Sequence, residues 1–168
     1  MIGQGNYGKV YMSGTSGAVV KQVKAKKSSS AAGLKLAYRE HVMSLFQNAL
    51  VLKRMSPHFC LHYGYEATPS SEHIAFNLFL EGFDGNLQTE ATGLLHLENS
   101  VPWASLTFQI GSALVAVAVL LDVCHNDLYP RNVLIRRGDA GAWRYDILGT
   151  TYEVPLPFFA VLTDFGVC

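Results

Sequence analysis

Apolar and polar residues alternate around glycines over residues 1 to 27, and GKVYM and AVVKQV each show the period of two expected of a short strand. The chain therefore begins β-rich. A polar linker of Lys24, Lys26, Lys27 and Ser28 to Ser30 leads into LKLAYREHVMSLFQNAL, where Leu36, Met43, Leu45, Phe46 and Leu50 suggest an amphipathic helix. Two further strands are expected in FCLHYGY and IAFNLFL, and Asp84-Gly85-Asn86 marks a turn. Pro102 opens a long apolar helix over residues 103 to 124, after which VLI and FAVL read as strands. This order of elements predicts an α+β fold in two lobes.

From Val101 to Leu121 there is no charged residue, a length that raises a transmembrane span. Ser105, Thr107, Gln109, Ser112 and the following Asp122 favour a buried core helix instead, since helices apolar all round also occur inside large domains. The 168 residues carry 13 Lys+Arg and 13 Asp+Glu, so no bulk charge draws the chain to nucleic acid or an anionic membrane. At 49% hydrophobic and 15% charged residues the chain is too apolar for disorder. Cys60, Cys124 and Cys168 are an odd set without CxxC spacing, which argues against a disulfide framework and for a reducing, intracellular setting. His58-Phe59-Cys60-Leu61-His62 offers three metal donors, but donors so close on one strand close poorly round a tetrahedral zinc, and a plain strand is the better reading.

The chemistry concentrates in four places. Gly3, Gly5, Gly8 and Val10 have the spacing G-x-G-x-x-G-x-V, in which residues lacking Cβ let backbone N–H groups approach phosphate oxygens. A dinucleotide-binding fold would need a strand before these glycines and a helix directly after, whereas strand-like KVYM follows, so the loop reads as a hairpin turn. Lys21 lies in an apolar strand pattern and needs an anionic partner, for which Glu40 in the predicted helix is a candidate; Lys24 falls on the opposite strand face. His125-Asn126-Asp127-Leu128-Tyr129-Pro130-Arg131-Asn132 places a carboxylate and an amide in a loop between the apolar helix and a strand. Asp164-Phe165-Gly166 adds a second hard oxygen donor of the kind Mg²⁺ prefers.

In this order, from Gly3 to Gly166, these motifs resemble the eukaryotic-type protein kinases. The resemblance implies a kinase-like two-lobed fold: residues 1–83 as the β-rich N-lobe with one helix and the hinge, and residues 84–168 as the first part of a helical C-lobe. It implies that Gly3, Gly5 and Gly8 cover the phosphates of ATP, that Val10 roofs the adenine, and that Lys21 contacts the α- and β-phosphates while paired with Glu40. The FLEGF stretch would be the hinge, with Glu81 and Phe83 reaching adenine through their backbone. Asp127 would orient the acceptor hydroxyl and take its proton, Asn132 and Asp164 would hold Mg²⁺, and His125 and Phe165 would pack the two loops. The implied partners are ATP and a protein substrate, with neither nucleic acid nor membrane. The implied location is the cytoplasm, or the host cytoplasm if the chain is viral, because HNDLYPRN is most similar to divergent kinases of large DNA viruses.

Departures from the family pattern shape the expectations. Asn126 replaces the usual arginine that receives an activation-loop phosphate, and Tyr129 replaces the lysine of serine/threonine kinases. Arg131 holds a position where tyrosine kinases often carry arginine and would supply the missing cation. RRGDAGAWRYDILGTTYEVPLPF reads as an extended hairpin. The sequence stops two residues after Gly166, without activation segment or APE motif, so the expectation is a helix at 103–124 with part of its apolar face bare. Such a chain would need a partner or further sequence there and would have little or no activity. Ser/Thr transfer to protein is the primary reading. The alternatives are a small-molecule kinase of the choline or aminoglycoside type, where HNDL is familiar, and a non-catalytic nucleotide-binding module.

Overall fold

The computed structural model describes residues 3–5, 8–13, 17–26, 30–95 and 101–165. Gly166 of the Asp-Phe-Gly motif, Cys168, and the linker residues 27–29 lie outside them. The fold is mixed α+β with antiparallel sheets, and the chain divides into two compact units. The first comprises residues 1–55, 59–82 and 164–168; the second comprises residues 56–58 and 83–163.

In the first unit, strands β1 (Gly3–Gly5), β2 (Gly8–Ser13), β3 (Ala18–Lys26), β4 (His62–Pro69) and β5 (His73–Glu81) form one antiparallel sheet in the order β1-β2-β3-β5-β4. Helix α1 (Ser30–Leu52) connects β3 to the chain before β4. Gly5 pairs with Gly8 across β1 and β2, so the glycine motif does lie in a hairpin. A Cβ at Gly8 would lie 2.5 Å from the Gln22 carbonyl oxygen, so only glycine lets the two backbones approach this closely.

Helix α1 departs from its apolar pattern. Leu50 is buried as expected, but Leu45 and Phe46 are each 50% exposed, while Glu40, Ser44 and Gln47 are buried. The inward stripe is set by Glu40, whose carboxylate must meet a cation. At 3.6 residues per turn that rotation turns Leu45 and Phe46 outward. The helix ends where Arg54 takes a left-handed conformation and Met55 N–H donates back to the Leu50 carbonyl at 2.8 Å.

The second unit holds a sheet of β6 (Gly85–Asn86), β7 (Val133–Ile147) and β8 (Thr150–Leu162), with helices α2 (Leu87–Leu95) and α3 (Val101–Leu121). The expected extended hairpin is β7–β8, closed by Leu148 and Gly149, both at positive φ, as a two-residue primed turn requires. The apolar helix is shorter than the sequence suggests: Asp122 at φ 54° ends it after Leu121.

Helix α3 packs on β8, burying Ser105, Leu106, Gln109, Ala113 and Val117. Gln109, fully buried, accepts from Ala160 N–H at 2.8 Å and donates to the Phe158 carbonyl at 3.2 Å, so its amide satisfies the outer edge of β8. Val115 and Val119 on the other side are exposed, as is Leu120 at the C-terminal end of the buried stripe. Among the described residues α3 is the one helix long and apolar enough to cross a membrane.

Candidate functional site

The first cluster lies within the first unit. Lys21 stands on β3, opposite Val10 of β2 and Leu78 of β5, on the face that α1 covers with Glu40. Its Nζ lies 2.6 Å from Glu40 Oε1 and 3.1 Å from Asp164 Oδ1. Burial alone would push the ammonium toward neutrality, but the Glu40 and Asp164 carboxylates outweigh it and hold Lys21 above its ordinary pKa. Glu40 is raised, chiefly by burial and further by Asp164, with Lys21 opposing. Lys21 is thus a fixed cation between two carboxylates. Asp164 is the more accessible of the two, with 26% of its side chain exposed against 9% for Glu40.

Asp164 is held in a left-handed conformation at φ 67°, which Asp tolerates better than most residues. The next residue, Phe165, is buried and meets Phe59 edge-on at 6.0 Å, anchoring the segment immediately beyond the carboxylate. Lys24 is exposed on the opposite face of β3, as the strand period requires.

The second cluster lies within the second unit. After α3 the chain folds into a short loop ending in a 3₁₀ turn at Pro130–Asn132. Buried His125 bonds the Thr163 carbonyl through Nε2 at 3.0 Å, and Thr163 N–H donates to the Asn132 carbonyl at 3.0 Å. Asn132, buried, donates through Nδ2 to the Asp127 carbonyl at 2.8 Å and to Asp127 Oδ2 at 3.2 Å. Asp127 is thereby oriented by its own loop. Arg131 approaches the same carboxylate at 3.7 Å and lies over the Tyr129 ring at 4.6 Å. Asn126, at φ 56°, uses the local tolerance of Asn for this region.

The remaining predicted residues are placed as follows. Gly3 and Gly5 are in β1, and Gly8 and Val10 in β2. Glu81 ends β5; its N–H donates to the Leu61 carbonyl at 2.8 Å and its carboxylate accepts from Leu61 N–H at 3.3 Å. At Gly82 a Cβ would collide with the Gly17 carbonyl, so this glycine cannot be replaced without moving backbone. Phe83 belongs to the second unit, with the Arg136 guanidinium over its ring at 4.6 Å.

The donors available for a metal near these residues are hard oxygens. Both hydrogen bonds of the Asn132 amide noted above use its nitrogen, so neither occupies Oδ1, the atom able to ligate a cation. Taken singly, the Asn132 amide oxygen and the Asp164 carboxylate are hard oxygens, a donor type that suits Mg²⁺ better than a soft metal. Sequence reading gave Asp164 only a metal-binding role and missed its ion pair with Lys21. The signal available was a strand lysine with more than one carboxylate to choose from. No protein-family model matches this chain, and no curated protein matches its sequence.

Proposed function

We propose that the chain is an ATP-dependent protein kinase domain of the kinase-like two-lobed fold, with residues 1–83 as N-lobe and hinge and 84–168 as part of the C-lobe. The observation that carries this reading is the ion pair between a strand lysine and a helix glutamate, Lys21 to Glu40 at 2.6 Å, with Asp164 at 3.1 Å. Kinases require such a pair because transfer of a phosphoryl group is catalysed mainly by positioning and charge neutralisation. Here Lys21 binds phosphate oxygens of ATP, and Glu40 keeps its ammonium aimed and charged. Gly3, Gly5 and Gly8 offer backbone N–H groups to the phosphates, Val10 covers the adenine, and Glu81 and Phe83 bind its edge.

Asp127 accepts the proton of the attacking hydroxyl, and Asn132 holds it in orientation for that task. Arg131 supplies positive charge beside Asp127, where Tyr129 cannot. Asn132 and Asp164 hold Mg²⁺, which when bound neutralises charge on the phosphates. The acceptor is a protein hydroxyl, Ser or Thr first, and the setting is intracellular.

The test is transfer of label from γ-labelled ATP to a mixed protein pool and, in parallel, to choline and aminoglycosides. The expected result is label on protein Ser or Thr that Asp127→Asn abolishes. Label confined to the small alcohols would replace this reading with a small-molecule kinase. Mg·ATP binding without transfer to any acceptor would leave a nucleotide-binding module.

A further inference from the structure

The five-residue run His58 to His62 does not converge on one point. His58 belongs to the second unit, where Nδ1 faces the Ala160 carbonyl and Nε2 the Tyr145 hydroxyl, both at 2.8 Å. His62, within the first unit, meets instead a histidine from another element: its ring centroid lies 5.0 Å from that of His41 on α1.

Buried imidazoles normally find hydrogen-bond partners, because an orphaned ring nitrogen keeps its full desolvation penalty. His58 obeys the rule. His62 does not: it is only 4% exposed, and neither Nδ1 nor Nε2 has a partner. Nδ1 of His41 is likewise buried without one. Three unpartnered ring nitrogens thus belong to two adjoining rings. The placement is held firmly, because Asn48 of α1 clamps the His62 backbone from both sides, donating to its carbonyl at 2.6 Å and accepting from its N–H at 2.9 Å. The Tyr65 ring closes the outer side of His41 at 4.2 Å.

We propose that His41 and His62 form a site for a borderline divalent transition-metal ion of the Zn²⁺ type, joining α1 to β4. Two imidazoles on one tetrahedral ion, with bonds of about 2.0–2.1 Å, bring their ring centroids to about 5 Å apart, which matches the pair. Neutral imidazole is a ligand such ions favour over the hard oxygens of Mg²⁺ sites. Both rings are also held below the ordinary histidine pKa, His62 to about 4 by burial and then by His41, so their lone pairs are free at neutral pH. Among the described residues no third His, Cys, Asp or Glu joins them, so the two imidazoles are the ligands these residues offer the ion. Because His41 follows Glu40 in sequence, a bound ion tethers the helix that carries the partner of Lys21. This inference does not rest on the phosphotransfer reading.

The experiment is titration of the chelator-treated full chain with Zn²⁺ by calorimetry and thermal melting, and with Co²⁺ by its visible spectrum. One equivalent should bind near neutral pH, raise Tm, and be released on acidification. His41→Gln and His62→Ala should each weaken binding at least tenfold, while His73→Gln on the far end of the sheet should leave it unchanged. His41 is only part-buried, so His41→Gln decides the matter if His62→Ala does not fold. No binding by folded wild-type protein, or binding that His41→Gln leaves intact, would overturn the proposal.

Discussion

The two clusters hold their carboxylates by different physics. In the first unit Lys21, Glu40 and Asp164 come from a strand, a helix and the far end of the described chain, and charge holds charge across those elements. In the second unit Asp127 is held by Asn132, five positions further along the same loop, with Arg131 a looser neighbour at 3.7 Å. The first arrangement exists only when distant elements are packed. In the second the bonds to the carboxylate are local, although Thr163 ties the loop to the chain after β8, so removing one of its members should cost less.

Breaking the first cluster should have the largest effect. Lys21→Met leaves Glu40 and Asp164 facing each other without a cation, and loss of one partner of a buried ion pair costs about 3–5 kcal/mol. Chemical denaturation of the variant should show a midpoint lowered accordingly, and adding Glu40→Gln should restore part of the loss, because one of the two stranded charges is then gone.

Acid should weaken both units next, because His58 in the second and His62 in the first are each held well below the ordinary histidine range. His58 is held down to about 4 by burial, so the unfolded chain takes up its proton near 6.5 while the folded chain resists. The stability this preserves is complete above pH 6.5 and is lost as pH falls from about 6.5 to 4, on the order of 3 kcal/mol at ~1.36 kcal/mol per pH unit. His58→Gln should flatten the stability profile in that window, measured by denaturation at a series of pH values. A profile as steep as that of the wild type would remove His58 as its cause.

Within the second cluster, Asn132→Ala should cost about 1–3 kcal/mol, the penalty for leaving the part-buried Asp127 acceptors unpaired. Arg131→Ala should cost no more than about 1 kcal/mol, because its guanidinium is half exposed and solvent competes for the pair. Equal losses from the two would show that the loop is held by charge after all, and would dissolve the contrast with the first cluster.

Much of this contrast was legible in the sequence. A lysine in an apolar strand announced a buried cation, and Glu40 was the helix carboxylate able to reach it. The spacing of Asp127 and Asn132 placed both in one loop, and the run after Arg136 read as a hairpin even though Leu148 is an unusual residue for a primed turn. What was not legible depends on contacts between residues distant in the chain. The pairing of Lys21 with Asp164, the outward turn of Leu45 and Phe46, and the separation of His58 from His62 all follow from packing that period and composition do not encode. Gln109 is the clearest case: it reads as a polar interruption in an apolar helix, yet its amide bonds two backbone groups of a strand edge.

The central claim is that Lys21 is an ammonium kept charged to bind the phosphates of ATP. Its most direct test is calorimetric titration of Mg·ATP into the wild-type chain and into Lys21→Met, each verified as folded. Wild-type protein should bind one equivalent, and the variant should bind roughly ten- to a hundredfold more weakly, the worth of a charge-assisted hydrogen bond of about 1.5–3 kcal/mol. Equal affinity in the two proteins, or no binding by folded wild type, would contradict it.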